Sequence, residues 1–570
     1  MNQPTPAIVP QSAVRRLPRL ALLLLCVAYV LPGFLGRDPW KNADVTAFGY
    51  MLELAGGQSS WLQPQLAGLP VETDSLLPYW LGAWAIQLAP VWVAPDLAVR
   101  VPFALLLALT LIATWYGVYY LARSPQAQPV AFAFGGEAQT PDYARAMADG
   151  GLLALIASLG LAQLSHETTP ALAQVCATAV TFYAMAAMPY RTVVPSMALL
   201  GGLAALVLSG APAMATLLGA GSALLYLLGT TSEANERVRL RYWAAGIAAA
   251  TLLVAALAWM LDLWRWRIAL PPLIGQDSLA TWKSIGRLLL WFTWPAWPLA
   301  LWTLWRWRRQ LSLRAPGRHV MLPIWFAAVA IGSAVFTQPA DRTLLLGLPA
   351  LATLAAFALP TLRRSVAALI DWFTLLFFTG CSVFIWVIWI AMQTGVPRQP
   401  AANVAKLAPG FEPSFSWLAF GVALVATLTW GWLVKWRVGR HRTAIWRSLV
   451  LPAGGAALCW LLLMTLWLPL LDFARSYAPQ VERVSAIIGR PVCVEIYGLS
   501  RAQIAAFNFH GKLNLMPATS RAQCPWLMVD ADARGTLPKS VNLRQWSLQA
   551  TVRRPTDSNE DVMLYRRSGN

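Results

Sequence analysis

Apolar runs of about twenty residues recur along almost the whole chain, and a helix of that length crosses about 30 Å of hydrocarbon. Read from the sequence, they fall at 20–36, 98–121, 147–165, 170–188, 193–210, 212–229, 242–263, 286–305, 321–338, 343–360, 366–392, 414–434 and 447–470, about thirteen candidate spans. Composition agrees: 58% of residues are hydrophobic and only 12% charged, too few charges to cover a soluble protein of this size. Thirty Trp suit membrane interfaces. A net charge of +19 would suggest nucleic acid in a soluble protein. Here the basic residues cluster between apolar runs, which is the positive-inside pattern, and no nucleic-acid partner is expected. Arg15, Arg16 and Arg19 precede the first run, as in a signal peptide, but no small-x-small cleavage site follows. The first run is therefore expected to stay as a span.

The basic loops set a topology. Arg306, Arg308, Arg309, Arg314 and Arg318 form one, and Lys435, Arg437, Arg440, Arg442 and Arg447 another. Arg237, Arg239 and Arg241 mark a third, Arg363 and Arg364 a fourth. With the N-terminus in the cytoplasm, all four fall on the cytoplasmic side and the C-terminal tail falls outside, the periplasm in a bacterial inner membrane. That parity holds only if Leu76–Val93 does not cross. This segment is short and bracketed by Pro78, Pro90 and Pro95, with Trp80, Trp84 and Trp92 along it. It is expected to lie at the outer surface as an in-plane helix. The Pro-, Gly-, Gln- and Ala-rich stretch 123–142 reads as a flexible cytoplasmic loop.

The expected fold class is thus an α-helical polytopic membrane protein with a small C-terminal α/β domain outside the membrane. The division is 1–471 for the membrane domain, with its first external loop at 37–95, and 472–570 for the soluble domain. Within the tail, 474–488 reads as a helix, and 492–497, 526–530, 546–553 and 562–566 as strands. Cys493 and Cys524 each start a strand. In an oxidising compartment they can be a disulfide or two buried thiols, and the sequence leaves both open. Cys26, Cys176, Cys381 and Cys459 lie in apolar runs and read as small buried residues.

Ionisable residues at the external ends of spans are the candidates for chemistry. Asp44 starts a segment whose apolar positions recur at helical spacing, so it is either a helix cap or a reactive carboxylate. His166 and Glu167 share a turn with almost no room between two spans. Arg265 and Arg267 alternate with Trp264 and Trp266, with Lys283 and Arg287 beyond. Interfacial snorkelling explains such a cluster, and so does a phosphate site. Asp341 and Arg342 share another turn, where they form a local ion pair or face the same site. Acids on two loops with cations nearby suit transfer from an anionic lipid donor. A carboxylate can deprotonate an acceptor hydroxyl, and cations can stabilise the leaving phosphate. No phosphate loop or dinucleotide fingerprint occurs, nor any zinc-like Cys or His spacing. No cofactor is expected, while the acids stay compatible with a divalent metal.

The stretch from Asp44 to Trp80 resembles the first external loop of the 4-amino-4-deoxy-L-arabinose lipid A transferases. These are glycosyltransferases of the GT-C fold, related to the protein O-mannosyltransferases. The family carries an Asp-Glu pair, a helix, a Gly-Asp-Trp-like turn, Leu-x-Gly, Glu-Lys-Pro and Tyr-Trp. The counterparts here are Ala43-Asp44, the helix to Leu54, Gly57 to Trp61, Leu66-Ala67-Gly68, Glu72-Thr73-Asp74 and Tyr79-Trp80. Similarity of layout continues through the turn at Pro170, the Asp341-Arg342 turn and an external tail. The resemblance implies about thirteen spans, in-plane helices in the first loop and an undecaprenyl-phosphate-linked sugar donor. It makes Asp44 and Glu167 the expected catalytic carboxylates, Asp44 as base and Glu167 placing the sugar. Lys41, Glu72, His166, Arg265, Arg267 and Arg342 are the expected substrate contacts. One acid of the family pair is missing, Thr73 replaces its Lys, and Thr169 stands beside Pro170 where the family has an acid. These departures point to a relative with a different sugar or acceptor. The expected function is transfer of a sugar from a polyprenyl-phosphate donor to a lipid or glycan acceptor among membrane lipids. The alternatives are a transporter or flippase, or a polymerase, of lipid-linked saccharides.

Overall fold

A computed structural model describes residues 5–72, 75–229, 234–264, 278–311, 317–337, 339–438, 444–539 and 541–568. The molecule is a polytopic helical bundle with a small C-terminal sheet domain. Among the described residues, seven helices are long and apolar enough to cross a membrane, Pro95–Ala122, Pro170–Ala187 and Arg364–Thr394 among them. Further apolar helices, Arg19–Val30, Val193–Leu208 and Pro212–Leu227 among them, are shorter. Proline sets several starts, at Pro95, Pro170 and Pro212, where its fixed φ and missing N–H cost nothing.

Several of the expected spans are not single helices; 343–360, for one, is interrupted between Ala340–Leu345 and Leu348–Ala358. Segment 147–165 breaks at Ser158 between helices Thr140–Ala157 and Leu159–Leu164, and segment 286–305 breaks between Ser278–Phe292 and Ala296–Arg306. These last two breaks meet: Leu159 N donates to Trp294 O at 3.0 Å. A backbone group freed from a helix in an apolar medium needs such a partner. Small residues allow close packing. A Cβ on Gly117 would stand 2.8 Å from the Phe182 ring, and one on Gly455 2.3 Å from Phe378.

The stretch 123–142 is not a free loop. Val130 N donates to Ala7 O and Ala138 N to Val9 O, both at 2.9 Å, so the N-terminal segment ties it down.

The first long loop holds two helices, Ala43–Ala55 and Leu77–Leu88. The second has 12 residues and is about 18 Å long, too short to cross the hydrocarbon. It packs on the first, with Gly82 against Met51 and Tyr79 against Tyr50.

The C-terminal domain opens with helix Ala478–Ile488. Its sheet is built from β3 (Val494–Tyr497), β4 (Leu515–Pro517), β5 (Trp526–Asp530), β6 (Trp546–Arg554) and β7 (Asp557–Arg567), in the order β4-β3-β5-β7-β6. The two strands of the first loop, β1 (Gln65–Leu66) and β2 (Leu69–Pro70), form a separate hairpin. β3 pairs in parallel with β4 and β5, and β7 runs antiparallel to β5 and β6. Cys493 and Cys524 are joined, with Cα atoms 5.4 Å apart. The crossover helix Arg501–Phe509, absent from the sequence reading, starts at a capping box of Ser500 and Gln503.

This crossover helix docks on Ala43–Ala55. Phe509 meets Phe48 at 4.8 Å between centroids, Asn508 donates to Glu53 at 2.8 Å, and a Cβ on Gly49 would stand 2.5 Å from the Ala505 Cβ. The sheet domain and the first loop therefore share one end of the bundle.

Candidate functional site

At that end the first loop meets the turn Ser165–Pro170. The chain leaves helix Arg19–Val30 and reaches Arg37 before the next helix begins. Arg37 binds three stretches of chain at once. Its Nε donates to Gly33 O at 2.9 Å, one Nη to Asp38 O at 3.1 Å and Asp44 Oδ2 at 2.7 Å, and the other to His166 O at 2.7 Å.

Asp44 is not the helix cap. The cap position is Asn42, whose side chain makes no capping bond, and Asp44 lies inside the first turn. Its Oδ2 accepts from Arg37 and from Trp40 N at 3.0 Å, and its Oδ1 from Thr168 N at 2.7 Å and Thr168 Oγ1 at 2.8 Å. Four donors fill both oxygens, and the side chain is 1% exposed. Burial would raise this carboxyl, but the Arg37 charge and the hydrogen bonds outweigh it and hold it below the ordinary carboxylate range.

Glu167, next to Thr168, is its counterpart. Oε2 accepts from Arg342 at 2.7 Å and Oε1 only a long 3.4 Å bond from Gln163. Arg342 also donates to Thr169 Oγ1 at 3.2 Å. Burial raises the Glu167 carboxyl above its ordinary value; Arg342 opposes the shift and Asp44 reinforces it. Two neighbouring carboxyls are thus pushed apart, one firmly ionised and one poised nearer to taking a proton, as acid–base pairs require. Of the two readings of the Asp341–Arg342 turn, the local ion pair does not form. Asp341 accepts only the Arg342 backbone N–H at 2.9 Å, and the guanidinium reaches across to Glu167.

The other expected contacts divide. His166 is enclosed by Trp460, Phe34 and Tyr29, with ring centroids 4.6, 5.1 and 5.5 Å away. Its Nε2 lies 2.9 Å from Tyr29 O, its Nδ1 is close to Ala162 O, and burial pushes its pKa down to about 4. It packs the turn onto the bundle and does not face Glu167. Lys41 Nζ pairs with Asp557 of β7 at 2.9 Å and ties the loop to the sheet domain. Glu72 is exposed near Tyr50 and Arg501, apart from the acid pair. Arg265 and Arg267 lie outside the described residues. Among the described residues no group of three or more His, Cys, Asp or Glu could hold a metal ion.

Residues that the sequence reading passed over complete the site. Asp472 Oδ1 accepts from Asp38 N at 2.9 Å and Trp40 Nε1 at 3.0 Å. Burial and the nearby Asp38 raise its pKa to about 6. The sequence signal was available for Arg37 and Asp38, two charges directly after an apolar run. For Thr168 and Asp472 no local pattern exists, because their partners are 124 and 434 residues away.

No protein-family model matches the chain, and no curated protein does. Two solved structures match its fold over nearly their whole length. One is the crystal structure of ArnT from Cupriavidus metallidurans in the apo state, with a TM-score of 0.57 and 13% identity, covering 96% of each chain. The other is the same protein bound to undecaprenyl phosphate, with a TM-score of 0.58 and 14% identity, covering 96% of this chain and 98% of that one. At such identities the likeness establishes the fold.

Proposed function

We propose that this chain is a membrane glycosyltransferase that moves a sugar from a polyprenyl-phosphate donor to a lipid or glycan acceptor. The observation that carries the reading is the joint of Asp44, Thr168, Glu167 and Arg342, set in a fold shared with a protein crystallised on undecaprenyl phosphate. The proposed setting is a bacterial inner membrane, with the N-terminus cytoplasmic, the sheet domain periplasmic and helix Leu77–Leu88 in the outer interface.

The acids take different parts. Asp44, saturated and firmly ionised, holds Arg37 and the two loops in register. Glu167 has one weakly bonded oxygen and a raised pKa, so it is the better proton acceptor. In the step, the acceptor hydroxyl oxygen bonds to the anomeric carbon while its proton passes to Glu167. The bond from that carbon to the donor phosphate oxygen breaks, and its electron pair stays on the phosphate. Arg342 steadies the Glu167 carboxylate and the developing phosphate charge. The role of base, expected of Asp44 from the sequence, is thereby proposed for Glu167 instead.

The test is binding first. Protein in nanodiscs is expected to take up undecaprenyl phosphate in preference to undecaprenol. Equal uptake of the two would remove the donor from the proposal.

A further inference from the structure

Helix Leu468–Arg475 leads from the last apolar helix, Val450–Leu466, towards the sheet domain, and Arg475 is its final residue. The Arg475 guanidinium carbon stands 5.0 Å from the centroid of the Trp40 ring, and Arg37 stands 4.6 Å from the same ring. Trp40 is itself fixed, its Nε1 on Asp472 and its backbone N–H on Asp44. The Arg475 carbonyl accepts from Lys41 N at 2.8 Å. Both ends of Arg475 are therefore held by the first loop.

The two guanidinium groups on Trp40 differ in one respect. Arg37 has a carboxylate and three carbonyls. Arg475 has no carboxylate within 4.0 Å and no hydrogen bond from its guanidinium among the described residues. Asp472, one turn back on the same helix, is engaged by Asp38 and Trp40. Glu167 acts on Arg475 only at longer range and is itself paired with Arg342. Arg475 is half-buried, and burial pushes its pKa below the ordinary value. A planar cation with five N–H donors, partly stripped of water and held by stacking, is complementary to an oxyanion with several oxygens.

We propose that Arg475 grips the phosphate of the lipid-linked donor, beside the Glu167–Arg342 pair. This rests on the function proposed above. The donor phosphate is a diester with one negative charge, and the released lipid phosphate is a monoester whose charge approaches two at neutral pH. A fixed cation at this position favours the released form, and so favours cleavage of the bond to the sugar.

The test uses the full chain in nanodiscs with undecaprenyl phosphate as probe and undecaprenol as the uncharged control. Arg475→Ala is expected to weaken undecaprenyl phosphate binding roughly ten- to hundredfold, the usual worth of charge-assisted hydrogen bonds. Undecaprenol binding and the melting temperature of the lipid-free protein are expected to stay unchanged. Arg475→Lys, which keeps the charge and loses the fork, is expected to fall between. Arg398→Ala, on the exposed helix Arg398–Leu407, should behave as wild type. If Arg475→Ala does not fold, Arg475→Gln takes its place in the same comparison. Wild-type binding that Arg475→Ala leaves intact overturns this assignment alone. A wild type that does not prefer undecaprenyl phosphate overturns the proposed function, and the assignment with it.

Discussion

Arg37 and Asp44 form an ion pair at 2.7 Å in which both side chains are 1% exposed. Breaking such a pair strands the remaining charge. Arg37→Met or Asp44→Asn alone is expected to cost about 3–5 kcal/mol of stability. The double variant Arg37→Met/Asp44→Asn should recover most of that, because neither charge is left unpaired. Thermal unfolding of the four proteins in detergent measures the coupling. Additive losses would mean that the pair is not what holds the two loops together.

Gly49 tests the docking of the sheet domain. A Cβ there meets the Ala505 Cβ at 2.5 Å and the Ala505 Cα at 3.3 Å. Backbone cannot give way as a flexible side chain can, so Gly49→Ala is expected to cost about 1–3 kcal/mol. Adding Ala505→Gly, which removes the closest contact, should recover part of the lost melting temperature, less the cost of about 0.5–1 kcal/mol for a glycine inside the helix. No rescue would mean that the first loop and the crossover helix are not in contact.

The bond between Cys493 and Cys524 closes a stretch with a sequence separation of 31. Its removal by Cys493→Ser/Cys524→Ser is expected to lower stability of the sheet domain by about 2–4 kcal/mol. Alkylation of the denatured, non-reduced protein should leave both cysteines unlabelled. Full labelling would show two free thiols.

Asp472 gives a pH dependence of known sign. Its pKa rises from the ordinary 3.8 to about 6 in the folded chain, so between those values the folded state holds the extra proton. Its contribution is therefore favourable below pH 4 and lost as pH rises through 6. A difference of about two units corresponds to roughly 3 kcal/mol. Asn keeps an oxygen for Asp38 N–H and Trp40 Nε1 but carries no charge. Asp472→Asn should thus raise the melting temperature at pH 7 and leave it nearly unchanged at pH 4. A melting temperature at pH 7 that is unchanged or lowered would contradict this.

How much of this was legible in the sequence follows from the range of each interaction. The helical membrane fold and the strands from Trp526 and Trp546 rest on local patterns and are readable from the sequence, whereas the breaks inside several apolar runs are not. The break at Ser158 was hidden because the partner of its freed backbone N–H, the Trp294 carbonyl, comes from another span. The crossover helix Arg501–Phe509 was readable from Ser500 and Gln503, three residues apart, but its short apolar stretch hid it. At the site, Asp44 and Glu167 stood out as acids beside spans. The division of labour proposed for them did not, because it depends on Arg37, Thr168 and Arg342 converging from three loops.

The measurement closest to the central claim is transfer itself, in nanodiscs, from an undecaprenyl-phosphate sugar to an envelope lipid extract, read as release of undecaprenyl phosphate. Wild-type protein is expected to release it. Glu167→Gln should bind the donor and release none, since an amide takes no proton. Arg37→Met/Asp44→Asn, which removes the clamp but not the proton acceptor, should retain part of the activity. Release by Glu167→Gln at the wild-type rate, or its complete loss in the folded double variant, would contradict Glu167 as the base and return that role to Asp44.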